Sequence, residues 1–541
     1  MFGLMMHSPL LISSLIEHAA KHHADTPIVS KEADGTMYRS NWREVHERSQ
    51  LLARALIKHG IQPGDRVATL AWNTHRHVEA YYAISGIGAI CHTINPRLFK
   101  EQISLIINHA EDKLIFIEKQ FMPLMEELKL NNEALSLVVM DQDSSVLSSR
   151  YNTLNYEQLL KAVEPGAWSW PQLKENDASS LCYTSGTTGM PKGVLYSHRS
   201  TVLHAFAVAL PDSLGLSARD SVLPVVPLFH ANAWGIPYAA AMVGAKLVLP
   251  GHELGGAHLA TLLKQEEVTV TAGVPTVWQG LINHLQHTQE SLSHLERLGV
   301  GGAQCPLPII QFFEQRGVRV MPGWGMTETS PVVTLMQPKY SQHQMSDEER
   351  LQWLTKSGRI LYGADMKIVD EGGQELPQDG KAVGELYVRG HWVCQAYYQN
   401  DQSPLKAGWL ATGDMATIDQ AGFMQITDRA KDMIKSGGEW ISSLTLEQIA
   451  STFNGVAEAA VIAAQHEYWG ERPLLFIVPQ AGVDIDTEQL LNHLQQHVAK
   501  WWVPDRVLMV KELPHTATGK LNKLSLRKTW GDELKKNPLN S

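Results

Sequence analysis

The sequence predicts an α/β protein. It has a large N-terminal domain of two parallel-rich α/β subdomains, a small antiparallel barrel-like subdomain, and a smaller α+β domain at the C-terminal end. Three observations carry this reading. Helix and strand signals alternate from the first residues to about residue 300, as helices layered on parallel sheet require. After about residue 355 the pattern changes to short strands bracketed by glycines. The polar run DRAKDMIKSGGE, at 428–439, then precedes a fresh α+β sequence and marks the best domain boundary. The 541 residues exceed what one core normally supports and correspond to roughly three to four domain-sized units.

The elements follow in order. Ser14 followed by Glu17 has capping-box spacing and opens a helix towards His22; Asn41 followed by Glu44 opens a second, ending near Gly60. RVATLAW at 66–72 reads as a buried strand, and HRHVEAYYAISGIG at 75–88 as a helix closed by glycine. EQISLIINHAED followed by KLIFIE repeats the switch, and AKLVLP (245–250), VTVTAG (268–273) and RLGVGGA (297–303) extend the strand series. The stretches at 364–373, 384–390 and 416–428 supply the barrel-like part, about 355–428. The expected division is therefore 1–428 for the N-terminal domain and 435–541 for the C-terminal one, with a connector at 429–434.

Composition excludes several classes. With 44% hydrophobic and 19% charged residues the chain is neither disordered nor collagen-like. Its 46 Lys+Arg against 56 Asp+Glu leave a formal charge of −10, which argues against nucleic acid or an anionic membrane as a bulk-charge partner. Residues 429–541 carry thirteen basic and thirteen acidic residues, so the acidic excess lies entirely in 1–428. Cys91, Cys182, Cys305 and Cys394 form no CxxC pair, which fits reduced thiols in a cytoplasm. The apolar N-terminus has no Lys or Arg before it and does not read as a signal peptide. The longest uncharged stretch, 221–245, contains Pro224, Pro227, Pro237, His230 and Asn232. It fits buried strand and turn better than a transmembrane segment.

Four motifs bear chemistry. In Tyr183-Thr-Ser-Gly-Thr-Thr-Gly-Met-Pro-Lys-Gly193, three glycines let backbone N–H groups approach an anion, and four hydroxyls plus Lys192 add donors and charge. Strand-like SSLCY before it and SHRSTVLHAF after it set the loop between strand and helix, where phosphates commonly sit. Its spacing is not that of a Walker A loop, and an ordinary Gly/Ser/Thr surface loop fits the same residues. In Gly323-Trp-Gly-Met-Thr-Glu-Thr329, Trp324 can stack on a base while Thr327 and Glu328 reach a phosphate and a divalent cation; a tight turn around a buried Trp fits as well. In the third, Asp414 can accept both hydrogen bonds of a ribose diol and Arg429 offers a rigid fork of donors, although a solvated charged turn reads the same way. The fourth, Lys511-Glu-Leu-Pro-His-Thr-Ala-Thr-Gly-Lys520, sets a lysine after a turn near the C-terminus. That lysine is either a point charge for a developing anion or an exposed side chain.

Together, in this order, the motifs resemble the adenylate-forming superfamily of acyl- and aryl-CoA synthetases, amino-acid adenylation domains and firefly-type luciferases. The resemblance spans nearly the whole chain. Within the superfamily the sequence is most similar to bacterial medium-chain fatty-acid–CoA ligases, through ATLAWNTHRHVEAYYAISGIGAICHTINPRLF, SSLCYTSGTTGMPKGVLYSHRSTVLH, LPVVPLFHANAWG and DRAKDMIKSGGEWIS.

The resemblance implies a two-step reaction with ATP, Mg²⁺ and CoA, in which a fatty acid or other small carboxylate becomes an acyl-adenylate and then an acyl-CoA. It implies that Thr184, Ser185, Gly186, Thr187, Thr188, Gly189 and Lys192 hold the phosphates. Thr184 and Glu328 would serve Mg²⁺, and Thr327 the α-phosphate. Gly302, Gly323 and Trp324 would enclose the adenine, Asp414 and Arg429 would take the ribose, and Lys431, Lys435 and Trp440 would complete the nucleotide set. Lys520 would stabilise the adenylation transition state. Lys431 is the implied hinge of a mobile C-terminal lid, and Gly437 and Gly438 would let the pantetheine of CoA pass. His230, Trp234, Gly301, Gly302, Gln304 and Trp440 would line the acyl pocket, Trp440 as its gate.

None of Phe229 to Gly235 is acidic, whereas amino-acid-activating relatives carry an Asp there, so an uncharged acyl tail is favoured. The similar ligases read Gly-Gly-Ser-Ala-Cys-Pro where this chain has Gly301-Gly-Ala-Gln-Cys-Pro306, so the bulkier, polar Gln304 stands in place of an Ala. Two alternatives remain open at this level. One is a ligase for short or sulfur-containing acids of the 3-methylthiopropionate type, and the other an acyl-AMP ligase that loads a carrier protein. A non-catalytic nucleotide-binding scaffold is opposed by the intact Thr184, Glu328, Asp414 and Lys520. Relatives of this type are often homodimers.

Overall fold

The computed structural model describes residues 3–132, 134–141, 148, 150–164, 166, 168–184, 191–342, 345–437, 439–515 and 521–536. The chain forms two compact units, one of Met1–Asp365 with Arg389–Leu410 and the other of Met366–Val388 with Ala411–Ser541.

The first unit holds two sheets of the expected kind. In the seven-stranded one, Asn152–Asn155, Ser136–Val139, Leu114–Ile117, Arg66–Leu70, Ile90–Thr93 and Ala178–Tyr183 run parallel, and Gly193–Ser197 closes the edge antiparallel. In the nine-stranded one, Pro27–Lys31, Lys246–Leu249, Ser221–Pro224, Val270–Gly273, Arg297–Val300 and Arg319–Gly325 pair in parallel. Its two ends are antiparallel, through Met37–Asn41 on one side and Val332–Leu335 with Arg359–Ile360 on the other. Strands buried on both faces read as continuous apolar runs, which is why LIFI is recognisable in the sequence.

The helix Trp42–Lys58 starts where the sequence says, with Asn41 accepting from the Glu44 N–H and returning a bond to its carboxylate. The first helix differs. It spans Ile12–His22, so Ser14 lies inside its first turn and donates its hydroxyl to the Leu11 carbonyl instead of capping. Burial of Ile12 and Ile16 decides the start, because two full aliphatic side chains outweigh a cap worth about 1 kcal/mol. Residues 221–245 form a strand, a turn and the short helix Ile236–Val243, and no described helix is long and apolar enough to cross a membrane. Cys91, Cys182, Cys305 and Cys394 are all free thiols.

The second unit contains most of a five-stranded sheet built on Ala364–Val369, Gly384–Gly390, Trp409–Ile418 and Met424–Arg429, and a C-terminal sheet dominated by the hairpin Val456–His466 with Gly470–Pro479. It begins well before the boundary expected at 428. The reason is local: the buried Asp428 carboxylate accepts from the Ser443 and Leu444 N–H groups and the Ser443 hydroxyl, which ties the strand Met424–Arg429 to the helix Ser443–Ser451.

One acid in the first unit gives its stability a pH dependence. Glu118, just past Leu114–Ile117, accepts from the Trp72 N–H and the Gln120 side-chain amide, both at 2.7 Å. Burial pushes its carboxyl up to about 7 from 4.5, against the pull of those two donors. Folding therefore favours the protonated form. This contribution is complete below about pH 4.5 and is lost as pH rises through about 7. Glu118→Gln is expected to flatten the fall in unfolding midpoint over that window and to be the more stable protein above it. Urea melts across the window check this, and parallel slopes for the two proteins would refute it.

Candidate active site

The site is built in the first unit around the loop that follows Ala178–Tyr183. That loop is the tip of a hairpin, because Gly193–Ser197 returns antiparallel and the helix His198–Ala209 comes only afterwards. The expected strand–loop–helix arrangement is corrected accordingly. The neck of the hairpin is closed by the Thr184 N–H on the Lys192 carbonyl at 2.9 Å. Ser185, Gly186, Thr187, Thr188 and Gly189 lie outside the described residues, as do Gly438 and Lys520.

The GWGMTET segment turns sharply. The register of Arg319–Gly325 against Val332–Leu335 shifts between Trp324 and Gly325, and a 3-10 turn follows at Thr327–Thr329. The Met326 N–H donates to the Thr329 hydroxyl, and the Trp324 N–H to the Thr334 hydroxyl. Thr327 and Glu328 are both buried, at 8% and 7% exposure, and the Tyr196 hydroxyl holds the Thr327 carbonyl at 2.6 Å. Gly323 comes within 2.8 Å, measured from an added Cβ, of the Thr334 carbonyl, so backbone packs directly on backbone behind Trp324.

Residues 391–398 brace this turn against the hairpin, and no sequence motif points to them. The Cys394 N–H donates to the Glu328 carbonyl at 2.8 Å, the Ser330 hydroxyl to the Trp392 carbonyl, and the Tyr398 N–H to the Gly193 carbonyl. Tyr397 donates its hydroxyl to Glu328 Oε1 at 2.9 Å, and the Lys192 ammonium stands 4.7 Å from the centre of its ring. The only available signal was the aromatic pair Tyr397-Tyr398, which is too common to single out.

On the acyl side, the segment before His230 is pinned by Asn73. Its amide donates to the carbonyls of Pro224 and Val226 and its oxygen accepts from the Leu228 N–H. Ala231, Asn232, Ala233 and Trp234 then take φ of 43°, 52°, 51° and 57°, four consecutive left-handed residues before Gly235. Each costs about 1–2 kcal/mol. Offsetting this, the buried Asn232 side chain donates to the Ser180 hydroxyl at 2.9 Å, and Trp234 is delivered onto Gly301, where a Cβ would stand 2.8 Å from the indole. Trp234 and Gly301 are thus brought together. His230 is half-buried beside the turn, Gly302 has a φ of 81°, and the Gln304 amide points to the Thr355 carbonyl at 3.5 Å.

The remaining residues lie in the second unit. Sheet register sets Asp414 opposite Arg429, whose Nε lies 2.6 Å from the buried Asp414 carboxylate. Lys431 is in a hydrogen-bonded turn closed by the Asp432 and Met433 N–H groups on the Arg429 carbonyl, and burial lowers its ammonium's pKa. Lys435 stands 5.0 Å over the ring of Trp440, which is 41% exposed, and the Gly437 N–H donates to the Trp469 carbonyl.

The architecture is that of the adenylate-forming enzymes. It superposes on the anthranilate CoA ligase AuaEII in complex with anthranoyl-AMP with a TM-score of 0.85 at 23% identity, covering 98% of this chain and 99% of that one. The chain belongs to the AMP-binding enzyme family, whose model matches residues 16–398; the model of the AMP-binding enzyme C-terminal domain matches 445–520. It is 49% identical to a medium-chain-fatty-acid–CoA ligase of Ectopseudomonas oleovorans, over 99% of this chain and 98% of that one. Identity is also 49% to a 3-methylmercaptopropionyl-CoA ligase of Ruegeria lacuscaerulensis (99% and 100% covered) and 43% to a long-chain-fatty-acid–CoA ligase of Thermus thermophilus (97% and 96%).

Proposed function

We propose that the protein is an AMP-forming acyl–CoA ligase acting on medium-chain fatty acids. It is an acid–thiol ligase that uses ATP and CoA. The observation that carries the reading is the gathering of Lys192, Tyr397, Glu328 and Thr327 where the 184–192 hairpin meets the GWGMTET turn. The ionised carboxylate of the acid attacks the α-phosphorus of ATP, pyrophosphate leaves, and the acyl-adenylate forms. The CoA thiolate then attacks the acyl carbonyl carbon and AMP leaves. No side chain need act as a base in the first step.

In this reading Thr184 and Lys192, with the loop between them, hold the β- and γ-phosphates, and Thr327 holds the α-phosphate. Asp414 and Arg429 take the ribose, and Trp324, Gly302 and Gly323 enclose the base. Lys520 bridges the carboxylate and α-phosphate during adenylation, and a pivot at Lys431 then presents Lys435, Gly437, Gly438 and Trp440 for the thiol step. Gly301, Trp234, His230 and Gln304 border the acyl group.

Mg²⁺ fits the donor set. Glu328 is a buried carboxylate and Thr184 a hydroxyl, both hard oxygen donors. A cation carried in on phosphates asks for only one or two such protein ligands. When bound, it supplies positive charge against the phosphate oxygens. Free thiols and the lack of a membrane-spanning helix among the described residues support a cytoplasmic enzyme, and a homodimer is part of the same reading.

The uncharged segment Phe229–Gly235 and its indole against Gly301 favour an apolar tail. The equal identity to a 3-methylmercaptopropionyl-CoA ligase keeps a short sulfur-containing acid as the second reading. Pyrophosphate release with ATP, Mg²⁺ and CoA over a chain-length series decides. The highest kcat/KM is expected between six and twelve carbons. No turnover in that range, with turnover of 3-methylthiopropionate, would transfer the assignment to the second reading.

A further inference from the structure

We propose that Tyr397 is a positioning residue for the triphosphate end of the nucleotide, acting through both Glu328 and Lys192. The inference rests on the phosphate-binding reading of those two residues. Three observations support it, and none comes from a motif. The Tyr397 hydroxyl donates to Glu328 Oε1 at 2.9 Å, which orients the carboxylate. The same ring offers its face to the Lys192 ammonium at 4.7 Å, a contact that holds a flexible cation in place without neutralising it. The backbone around Tyr397 is fixed at both ends, by Cys394 on Glu328 and by Tyr398 on Gly193.

One side chain therefore couples the carboxylate of the GWGMTET turn to the lysine of the hairpin. Those groups come from different segments, the 3-10 turn Thr327–Thr329 and the residue just before Gly193–Ser197, and would otherwise find their spacing independently. The phenol thus contacts both groups, the carboxylate through its hydroxyl and the ammonium through its ring face.

Calorimetric titration of full-length enzyme with MgATP, without carboxylic acid or CoA, tests this apart from turnover. Tyr397→Phe keeps the ring and loses the hydroxyl; it is expected to weaken MgATP binding about tenfold while leaving AMP binding and the unfolding midpoint unchanged. Tyr397→Leu also loses the face for Lys192 and is expected to weaken MgATP further. In a Glu328→Gln background the Phe substitution should add less than about twofold, because the two act as one unit. The inference is overturned if Tyr397→Phe binds MgATP as wild type, if it weakens AMP equally, or if its effect is the same in both backgrounds. If Glu328→Gln alone leaves MgATP binding intact, the phosphate-site reading itself fails, whatever Tyr397 does.

Discussion

Lys520→Ala is expected to lower adenylate formation by about 100- to 1,000-fold, while acyl-CoA formation from supplied acyl-adenylate stays within about threefold of wild type. In adenylation, negative charge grows between the incoming carboxylate and the α-phosphate, and a lysine there stabilises the transition state more than the ground state. In the second step the thiolate attacks a carbonyl whose leaving group is already formed, and the lysine has no comparable task. The described residues on either side make a firm base for it. His515 and Leu521 pair across the segment, the Asn522 N–H donates to the Pro514 carbonyl, and the half-buried Lys523 ammonium holds both Glu447 and the Ser443 hydroxyl at 2.7 Å. Arg527 pairs with Asp432 beside the proposed pivot. Measuring the two half-reactions separately, by pyrophosphate release and by thiol consumption, checks the prediction. Equal loss of both would mean that the lysine stays at the site throughout and that the pivot is wrongly placed.

Gly325→Ala is expected to destabilise the first unit by about 2–3 kcal/mol and to cut kcat/KM for adenylation by about 100-fold. An added Cβ at Gly325 would lie 1.9 Å from the Pro331 carbonyl oxygen, 2.7 Å from its carbon and 3.2 Å from the Val332 Cα. All three are backbone atoms, so no side chain can rotate away. Either the strand Val332–Leu335 is pushed outward or the turn Thr327–Thr329 moves, and in both cases Glu328 leaves its place beside Tyr397. Thermal unfolding and pyrophosphate release on one preparation test both effects. A variant with wild-type stability would show that the register shift at Trp324 has slack enough for a methyl group.

Much of this was legible in the chain because it depends on local pattern. Asn41 and Glu44 cap a helix wherever they stand, and Arg66–Leu70 or Leu114–Ile117 are strands because parallel sheets bury both faces. The motif residues Thr327, Glu328, Asp414 and Arg429 were visible by type and order. Features that depend on what lies opposite were not legible. Ser14 has a good cap sequence, yet burial of Ile12 starts the helix earlier. The 184–192 loop reads like the entrance to a helix because SHRSTVLHAF follows it, but five residues first pair back on Ala178–Tyr183.

The sequence by itself determined the fold class, the order of the chemistry-bearing segments and the types of side chain they carry, because periodicity and residue chemistry are properties of the chain alone. Only the tertiary structure decided the left-handed run Ala231–Trp234, which no local preference favours and which is held by Asn232 on Ser180 and by Trp234 on Gly301. Only it brought Tyr397 between Glu328 and Lys192, residues separated by 69 positions on one side and about 200 on the other. Contacts across such distances are chosen by packing and hydrogen-bond satisfaction in the assembled core, where a strained turn or an unremarkable tyrosine is fixed by its neighbours and not by its own sequence.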